Sequence, residues 1–374
     1  MKRKMRDAAR ALALLGALSA HGAHADEGMS WKFRGFGTVG AVMTNTDEAQ
    51  FRSSWRQTRG AGKSPDLGVD SRLGVQANVN FNSTFSAVGQ LLVRNRDGGK
   101  RLQVEWLFGQ ASVTPWLDLR AGRMVLPVFL LSDSLNVGYA THWARAPTEV
   151  YSIYPASSFD GAQAQAHTDW GGTHFTLQAS AGTTKADLVL FGAKVNADFK
   201  KLYSLNLVAE QGNWTLRVGD TEVHDSVVTG ADPVPPYTDS FRGVGITYDN
   251  GKALVQAEYV RRRTSDPGAV VHIDMNAYYV TGGYRMGRWM PYATYSRFEP
   301  VGSSLRALGL SNTRTVAAGL RWDAYQDVAV KAQVESVQSN GFNFVNEGPA
   351  FFASAFSSNP RKVNVFTLLA DFVF

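Results

Sequence analysis

Between Val69 and Phe81 the chain alternates almost without interruption. Val69, Leu73, Val75, Ala77, Val79 and Phe81 fall on one side, and Asp70, Arg72, Gln76, Asn78 and Asn80 on the other. Successive side chains of a strand face opposite ways, so this stretch is a strand with one apolar and one polar face. Such a strand suits a sheet whose outside meets lipid and whose inside meets water. The same period appears elsewhere. Trp31, Phe33 and Val39 alternate with Lys32, Arg34 and Thr38, and Phe85 to Arg94 carries Ser86, Gln90 and Arg94 on its polar side. Arg101, Gln103 and Glu105 alternate with Leu102, Val104, Trp106 and Phe108, which predicts a strand with those four apolar residues facing out. Leu117, Leu119 and Ala121 alternate with Asp118, Arg120 and Gly122.

The connections alternate too. Tight turns at Asn82-Ser83-Thr84, Thr114-Pro115, Asp169-Trp170-Gly171-Gly172, Gln211-Gly212, Asp249-Asn250-Gly251 and Gly287 separate longer, more polar stretches. From Leu202 onward the strands read as 202–210, 213–222, 240–249, 252–263, 271–286, 288–298, 312–323, 326–337 and 362–374. Counting from both ends, the short turns stay on one side only if the number of strands is even. We therefore assign residues 184–199 to an outer loop and its strand shoulders, which gives 16 strands. The expected fold is all-β: a transmembrane antiparallel β-barrel of about 16 strands, a size that leaves an aqueous channel.

The last strand supports closure. Phe366, Leu368, Ala370, Phe372 and Phe374 form one apolar stripe, which in a barrel faces lipid while its backbone pairs with the first strand.

One stretch breaks the pattern. From Leu117 to Phe159 the chain begins as a strand and then loses all period, yet it holds Val125, Leu126, Val128, Phe129, Leu130, Leu131, Tyr139, Trp143, Tyr151 and Tyr154. A long aperiodic segment is usually functional or disordered, and this one is too apolar for a solvated linker. The expectation is an inward-folded third outer loop, about residues 124–158, that narrows the pore.

The chain opens with a basic segment, MKRKMRDAAR, an apolar segment, ALALLGALSA, and Ala23-His24-Ala25 as an A-x-A cleavage site. These are the three parts of an export signal, so residues 1–25 read as a signal peptide and 26–374 as a single barrel domain. With the leader go five basic residues and one acidic, which lowers the net charge from +6 to +2. A chain so near neutrality gives no electrostatic reason to bind nucleic acid. There is no cysteine, so disulfides and thiolate metal sites are excluded. Its seven histidines show no H-E-x-x-H spacing, and no metal or other cofactor is expected.

With these features together, the chain resembles the trimeric porins of Gram-negative outer membranes. The most specific local part is the passage Leu119-Arg120-Ala121-Gly122-Arg123 followed by Pro127, which is similar to the entry of a porin constriction loop. The resemblance implies an outer-membrane channel, a homotrimer, and a final aromatic residue, Phe374, read by the barrel-assembly machinery. It also implies a basic wall facing acidic groups of the loop across the narrowest point. Lys32, Arg34, Arg72, Arg94, Arg101 and Arg120 lie on polar strand faces, Arg123 follows at the loop entry, and Asp133 and Glu149 are the acidic candidates. Such a field orients dipolar solutes, and its excess of arginine favours anions. The competing reading is local pairing of these cations with Asp70, Glu105 and Asp118.

Other groups have simpler readings. His142 and Arg145 in the loop either meet solute or are satisfied by packing. Arg261-Arg262-Arg263 sits at an outer strand end, where it meets lipopolysaccharide phosphate or forms a solvated rim. Gly35-Phe36-Gly37-Thr38-Val39-Gly40 matches the dinucleotide fingerprint, but no helical period follows it. Its glycines serve curvature or subunit packing. The expected function is passive diffusion of small hydrophilic solutes with a mild anion preference. The alternatives are a solute-specific channel, a barrel enzyme, or an adhesin with a plugged lumen. No G-x-S-x-G motif supports the enzyme.

Overall fold

The computed structural model describes residues 29–47, 50–54, 56–96, 99–154, 156–190, 193–229, 236–265, 274–302, 312–339 and 361–374. The leader expected at residues 1–25 lies outside them, as do the middles of three long connections, 266–273, 303–311 and 340–360.

Sixteen antiparallel strands form one closed barrel. In chain order these are β1 Ser30–Thr44, β2 Arg72–Asn80, β3 Phe85–Arg96, β4 Gly99–Thr114, β5 Leu117–Val125, β6 Ser158–Trp170, β7 Thr173–Leu190 and β8 Ala193–Gln211. The second half follows as β9 Trp214–Thr229, β10 Tyr237–Asp249, β11 Ala253–Ser265, β12 Met275–Tyr284, β13 Trp289–Pro300, β14 Thr313–Tyr325, β15 Val328–Ser339 and β16 Arg361–Val373. Each strand pairs with its neighbours in sequence, and β16 closes on β1 with Phe36 opposite Val373 and Thr44 opposite Val365. The turns at one end are short because glycine permits them. Gly171 and Gly172, between β6 and β7, have φ of 59° and 78°, the left-handed pair that a two-residue hairpin turn requires.

Alternation sets the two faces. Outside, Leu205, Leu207, Leu216, Val218, Val255 and Leu368 are exposed, while Gln163, Asn206, Gln256, Thr281 and Gln333 are buried within. Trp116, Trp170, Trp214, Trp289 and Tyr325 stand exposed beside the short turns. They form the aromatic girdle of a membrane interface.

Two expectations about register need correction. In the β3–β4 pair Gln90 lies opposite Trp106 but Leu91 lies opposite Val104, so Glu105 is an extra residue, a β-bulge. The bulge reverses the parity beyond it. Leu102 and Val104 face out as expected, but Trp106 and Phe108 turn inward, and the Arg120 guanidinium sits 5.7 Å from the Phe108 ring centre. The second concerns residues 184–199, which are paired strand rather than loop. Thr184 lies opposite Phe199 and Leu190 opposite Ala193, so β7 and β8 continue as a hairpin past the start of β6 at Ser158. There β7 is paired with β8 alone, whereas β8 also pairs with β9, with Asn196 opposite Thr229 and Asp198 opposite Val227.

The glycines of the first strand serve the seam where the barrel closes. Gly35 N–H donates to the Phe374 carbonyl at 2.7 Å, and Phe374 N–H returns a bond to the Gly35 carbonyl at 3.0 Å. On the outer face the Phe374 ring covers Gly35 and the Phe372 ring covers Gly37, and a Cβ at Gly37 would lie 2.3 Å from the Phe372 ring. Ring-on-glycine packing across a strand pair holds the register of the seam. Gly37→Val should displace that ring, destabilise the barrel by about 1–3 kcal/mol, and lower the temperature at which unboiled protein loses its folded gel mobility. An unchanged transition would show that the seam does not rely on this packing.

Candidate functional site

The segment between β5 and β6, residues 126–157, has little regular structure of its own: a 3-10 turn at Gly138–Ala140 and one helical turn at Thr148–Tyr151. Its backbone groups must therefore find partners elsewhere. They find them on inward-facing side chains of successive strands. On β9, Arg217 donates to the Pro127 carbonyl, and on β11 the Glu258 carboxylate accepts Leu130 N–H at 2.7 Å. Phe129 meets Phe241 of β10 edge-on, with ring centres 5.4 Å apart. Arg262, in a buried bidentate pair with Asp239, reaches the Ile153 carbonyl at 3.2 Å. Trp143 donates its indole N–H to Thr281 of β12 and Thr294 of β13, both at 3.1 Å. Arg321 of β14 donates to the carbonyls of Tyr139 and Thr141 at 2.8 and 2.7 Å.

Lys331 of β15 is the most enclosed of these groups. Its ammonium, 0 % exposed, donates to the carbonyls of Gly138, Thr141 and Trp143 at 2.7, 2.6 and 2.9 Å and lies 2.8 Å from the Asp371 carboxylate. Asp371 in turn accepts from Thr38 across the seam, and Gly138 packs against both. A side chain at position 138 would collide with that carboxylate.

The expected loop residues divide sharply. Arg145 does not face open water. It is buried, holds Asp70 through Nε and Nη2 at 3.1 and 2.5 Å, pairs with Glu335, bonds Thr367 at 3.0 Å and stacks over Phe51 at 4.4 Å. Glu149 does not oppose the basic wall either. It is buried against β13 and β14, where its carboxylate accepts from Ser296 at 2.8 Å and from Thr315. His142 is packed between Trp143 and Tyr292, and burial, with Lys331 and Arg321 near, pushes its pKa down to about 3. The imidazole is therefore neutral at physiological pH. Asp133 is the acidic group that stays exposed, within electrostatic reach of Arg120 and Arg217.

On the wall, Arg72 lies directly opposite Arg94 and Arg94 directly opposite Arg101, a row of three guanidiniums across β2, β3 and β4. Like charges so placed repel. Part of the strain is relieved by Asn136, whose backbone and side-chain oxygens accept from Arg72 at 2.8 Å and Arg94 at 3.5 Å, and by Glu105, 4.0 Å from Arg94. Asp70 is taken by Arg145 instead, and Asp118 by the Ser112 hydroxyl at 2.6 Å and His167 at 3.5 Å. Lys32, Arg34 and Arg101 are exposed and have no side-chain partner among the described residues. Arg120 is held by Gln110 and Gln163 at 2.8 and 3.3 Å.

Arg123 belongs to the other surface. It faces outward and forms a bidentate pair with Asp160 at 2.8 and 2.7 Å, because its position on β5 has the parity of Leu119 and not that of Arg120. A cavity of about 170 Å³ lies where the basic row meets the segment, lined in part by Arg56, Arg72, Arg94, Glu105, Ser132 and Asn136. A second, of about 450 Å³, lies beside Leu130, Tyr139, Asp249, Arg285 and Arg321.

A closed barrel with an apolar outer band, a polar lumen and a segment held within it is the build of an outer-membrane channel rather than an enzyme. Residues 11–341 match the family model of the Gram-negative porin, and the chain belongs to that family. No curated protein matches it in sequence. Among solved structures it resembles the outer membrane channel DcaP of Acinetobacter baumannii at 11 % identity and a TM-score of 0.63, over 94 % of this chain and 99 % of that one. It also resembles the anion-selective porin from Comamonas acidovorans at 12 % and 0.59, over 92 % and 100 %. The trimer form of OmpT, an outer membrane protein of Vibrio cholerae, matches at 17 % and 0.59, over 93 % and 100 %. At these identities the likeness concerns the fold. The protein is therefore placed in the bacterial outer membrane.

Removing Lys331 should be costly where removing Arg101 is not. Lys331→Met leaves Asp371 as an uncompensated buried charge and should cost about 3–5 kcal/mol, whereas Arg101→Gln on an open surface should stay within about 0.5 kcal/mol. Denaturant titration of the folded protein in detergent reads both. Equal effects would contradict the assignment of Lys331 as the seat of the segment.

Proposed function

We propose that the protein is a porin for passive diffusion of small hydrophilic solutes, with a mild preference for anions. The observation that carries this reading is the row Arg72, Arg94 and Arg101, continued below by Arg120 and, further down the wall, by Arg34 and Lys32. Three aligned guanidiniums with one carboxylate, Glu105, between them leave an excess of positive charge where water reaches the wall. Cations pass such a point less readily than anions. Residues of about 124–158 act as the constriction loop. Held against β9 to β16, they leave the water path to the side of β2 to β6, with Asp133 as its acidic bank.

Residues 1–25 serve as the export signal and 26–374 as the barrel, with Phe374 as the residue read by the assembly machinery. The protein works as a homotrimer in contact with outer-membrane lipid and lipopolysaccharide. Support for the trimer comes from the outer face of β4 to β7, where Gly109, Ala111, Ala121, Ala162, Ala164, Ala179 and Ala181 lie beside the outward pair Arg123–Asp160. A charged pair facing hydrocarbon is costly, and small residues allow another barrel wall to approach closely.

In a planar bilayer under a potassium chloride gradient, the wild type should conduct in groups of three steps with a zero-current potential of the sign that favours chloride. Arg94→Gln with Arg101→Gln should move that potential toward zero at nearly unchanged conductance. A cation-favouring potential in the wild type, or no shift in the double variant, would contradict the reading.

A further inference from the structure

Beneath the segment, toward the short turns, the inner wall of β9 to β14 encloses the second cavity, of about 450 Å³. It lies across the lumen from the row of Arg72, Arg94 and Arg101. Its volume falls in the range of roughly 300–1,000 Å³ usual for small-molecule sites.

The back wall of this chamber is polar and uncharged. Thr215 of β9 lies opposite Thr247 of β10, and Thr247 lies opposite Gln256 of β11, so two hydroxyls and an amide stand side by side at one level of the inner face. None of these three side chains makes a hydrogen bond among the described residues. For Gln256 this matters most, because the residue is only 3 % exposed and a buried amide without a partner is costly. Thr281, the next residue in the same row, is satisfied by Trp143 and Thr294. The open groups are therefore those that border the chamber.

Two ion pairs stand at its mouth. Arg285 holds Asp249 through both Nη atoms at 2.6 and 2.8 Å, and Arg321 donates from Nε to Asp323 at 2.8 Å. Asp323 is also within electrostatic reach of Arg285, so the pairs are neighbours. Two cations face two carboxylates, and His142 in the roof is neutral, so the lining carries no net charge. Arg321 Nη2 and Asp323 Oδ2 make no hydrogen bond among the described residues, which leaves one donor and one acceptor open on that pair. The remaining lining is largely apolar: Leu130 and Leu131 of the segment above, Leu254 and Met290 of the wall.

This combination selects among solutes. A solute with net charge brings a charge that the balanced lining does not answer, and an apolar one leaves Gln256 unpaired. A polyhydroxylated ring suits both parts of the chamber. Its C–H face can lie on the leucines and Met290, while each hydroxyl both donates and accepts, as the Thr-Thr-Gln row and the Arg321–Asp323 pair require.

We propose that the chamber is a binding site for a neutral monosaccharide, held by Thr215, Thr247 and Gln256 on the wall and by Arg321 and Asp323 at the mouth. This deepens the channel reading and rests on it for the solute's route into the lumen.

The test is a saturation-transfer NMR titration of the full-length protein, purified in an amine-oxide detergent so that no sugar headgroup competes. The probes are D-glucose, its anionic analogue D-gluconate and its cationic analogue D-glucosamine. The wild type should bind glucose about tenfold more tightly than either charged analogue. Gln256→Leu and Thr247→Val should each weaken glucose binding by about tenfold, the effect of losing one hydrogen bond. Folded gel mobility is checked first, and Thr247→Val decides the matter if Gln256→Leu does not fold. Absence of glucose binding, tighter binding of a charged analogue, or folded variants that bind as the wild type does would each overturn the proposal. Bilayer conductance of the same wild-type preparation reports the channel separately. A conducting protein that does not bind glucose sinks the site alone, whereas a silent protein that binds it keeps the site and contradicts the channel.

Discussion

A chain segment inside a closed barrel has no strand to pair with, and this constraint shapes the lumen. The segment of residues 126–157 obtains its partners from charged groups that the wall sends inward. Arg217, Arg262, Arg321 and Lys331 supply donors to its carbonyls, Glu258 accepts from its backbone, and Arg145 returns the favour by filling the space between Asp70 and Glu335. Arg145, Arg262, Arg321 and Lys331 are tolerated there because each is both paired with a carboxylate and hydrogen-bonded, whereas Arg217 and Glu258 are held by hydrogen bonds to Pro127, Asn206 and Leu130. The contacts run from β9 to β16 and over the seam to β1, and they decide by subtraction where water can go. On the side of β2 to β6 the segment reaches the wall through Asn136, and the cations there have fewer partners.

The barrel itself was legible in the sequence. Alternation identified the strands, the alternation of short and long connections required an even number, and the aromatic stripe ending at Phe374 pointed to closure. Alternation fails wherever a single residue is inserted. The bulge at Glu105 turned Trp106 and Phe108 inward against expectation, and nothing in the local sequence marks it. Residues 184–199 misled for a different reason, since they lengthen β7 and β8 past the start of β6 without adding a strand, with β8 still paired to β9.

The lumen was legible only in outline. That Lys32, Arg34, Arg72, Arg94, Arg101 and Arg120 share inward faces follows from period two. That Arg123 does not share them follows from the same rule, applied to its odd position beside Leu119, and the resemblance to a constriction-loop entry obscured it. Arg145 and Glu149 were selected as charged residues of the loop, yet Arg145 is held by Asp70 and by Glu335 of β15, and Glu149 by Ser296 and Thr315 of β13 and β14. Such pairings belong to the closed sheet and cannot be read from spacing. Lys331 and Asp371 were visible on polar strand faces, but only the seam between β15, β16 and β1 shows why they matter.

The central claim is that the segment blocks one side of the lumen and leaves the other open. With no native cysteine in the chain, single substitutions can be labelled cleanly. The most direct measurement compares channels carrying Arg120→Cys or Glu149→Cys during exposure to a membrane-impermeant, charged methanethiosulfonate. The account predicts a stepwise fall in conductance at position 120 and none at position 149. A fall at 149 with silence at 120 would place the water path on the opposite side of the segment and contradict the account.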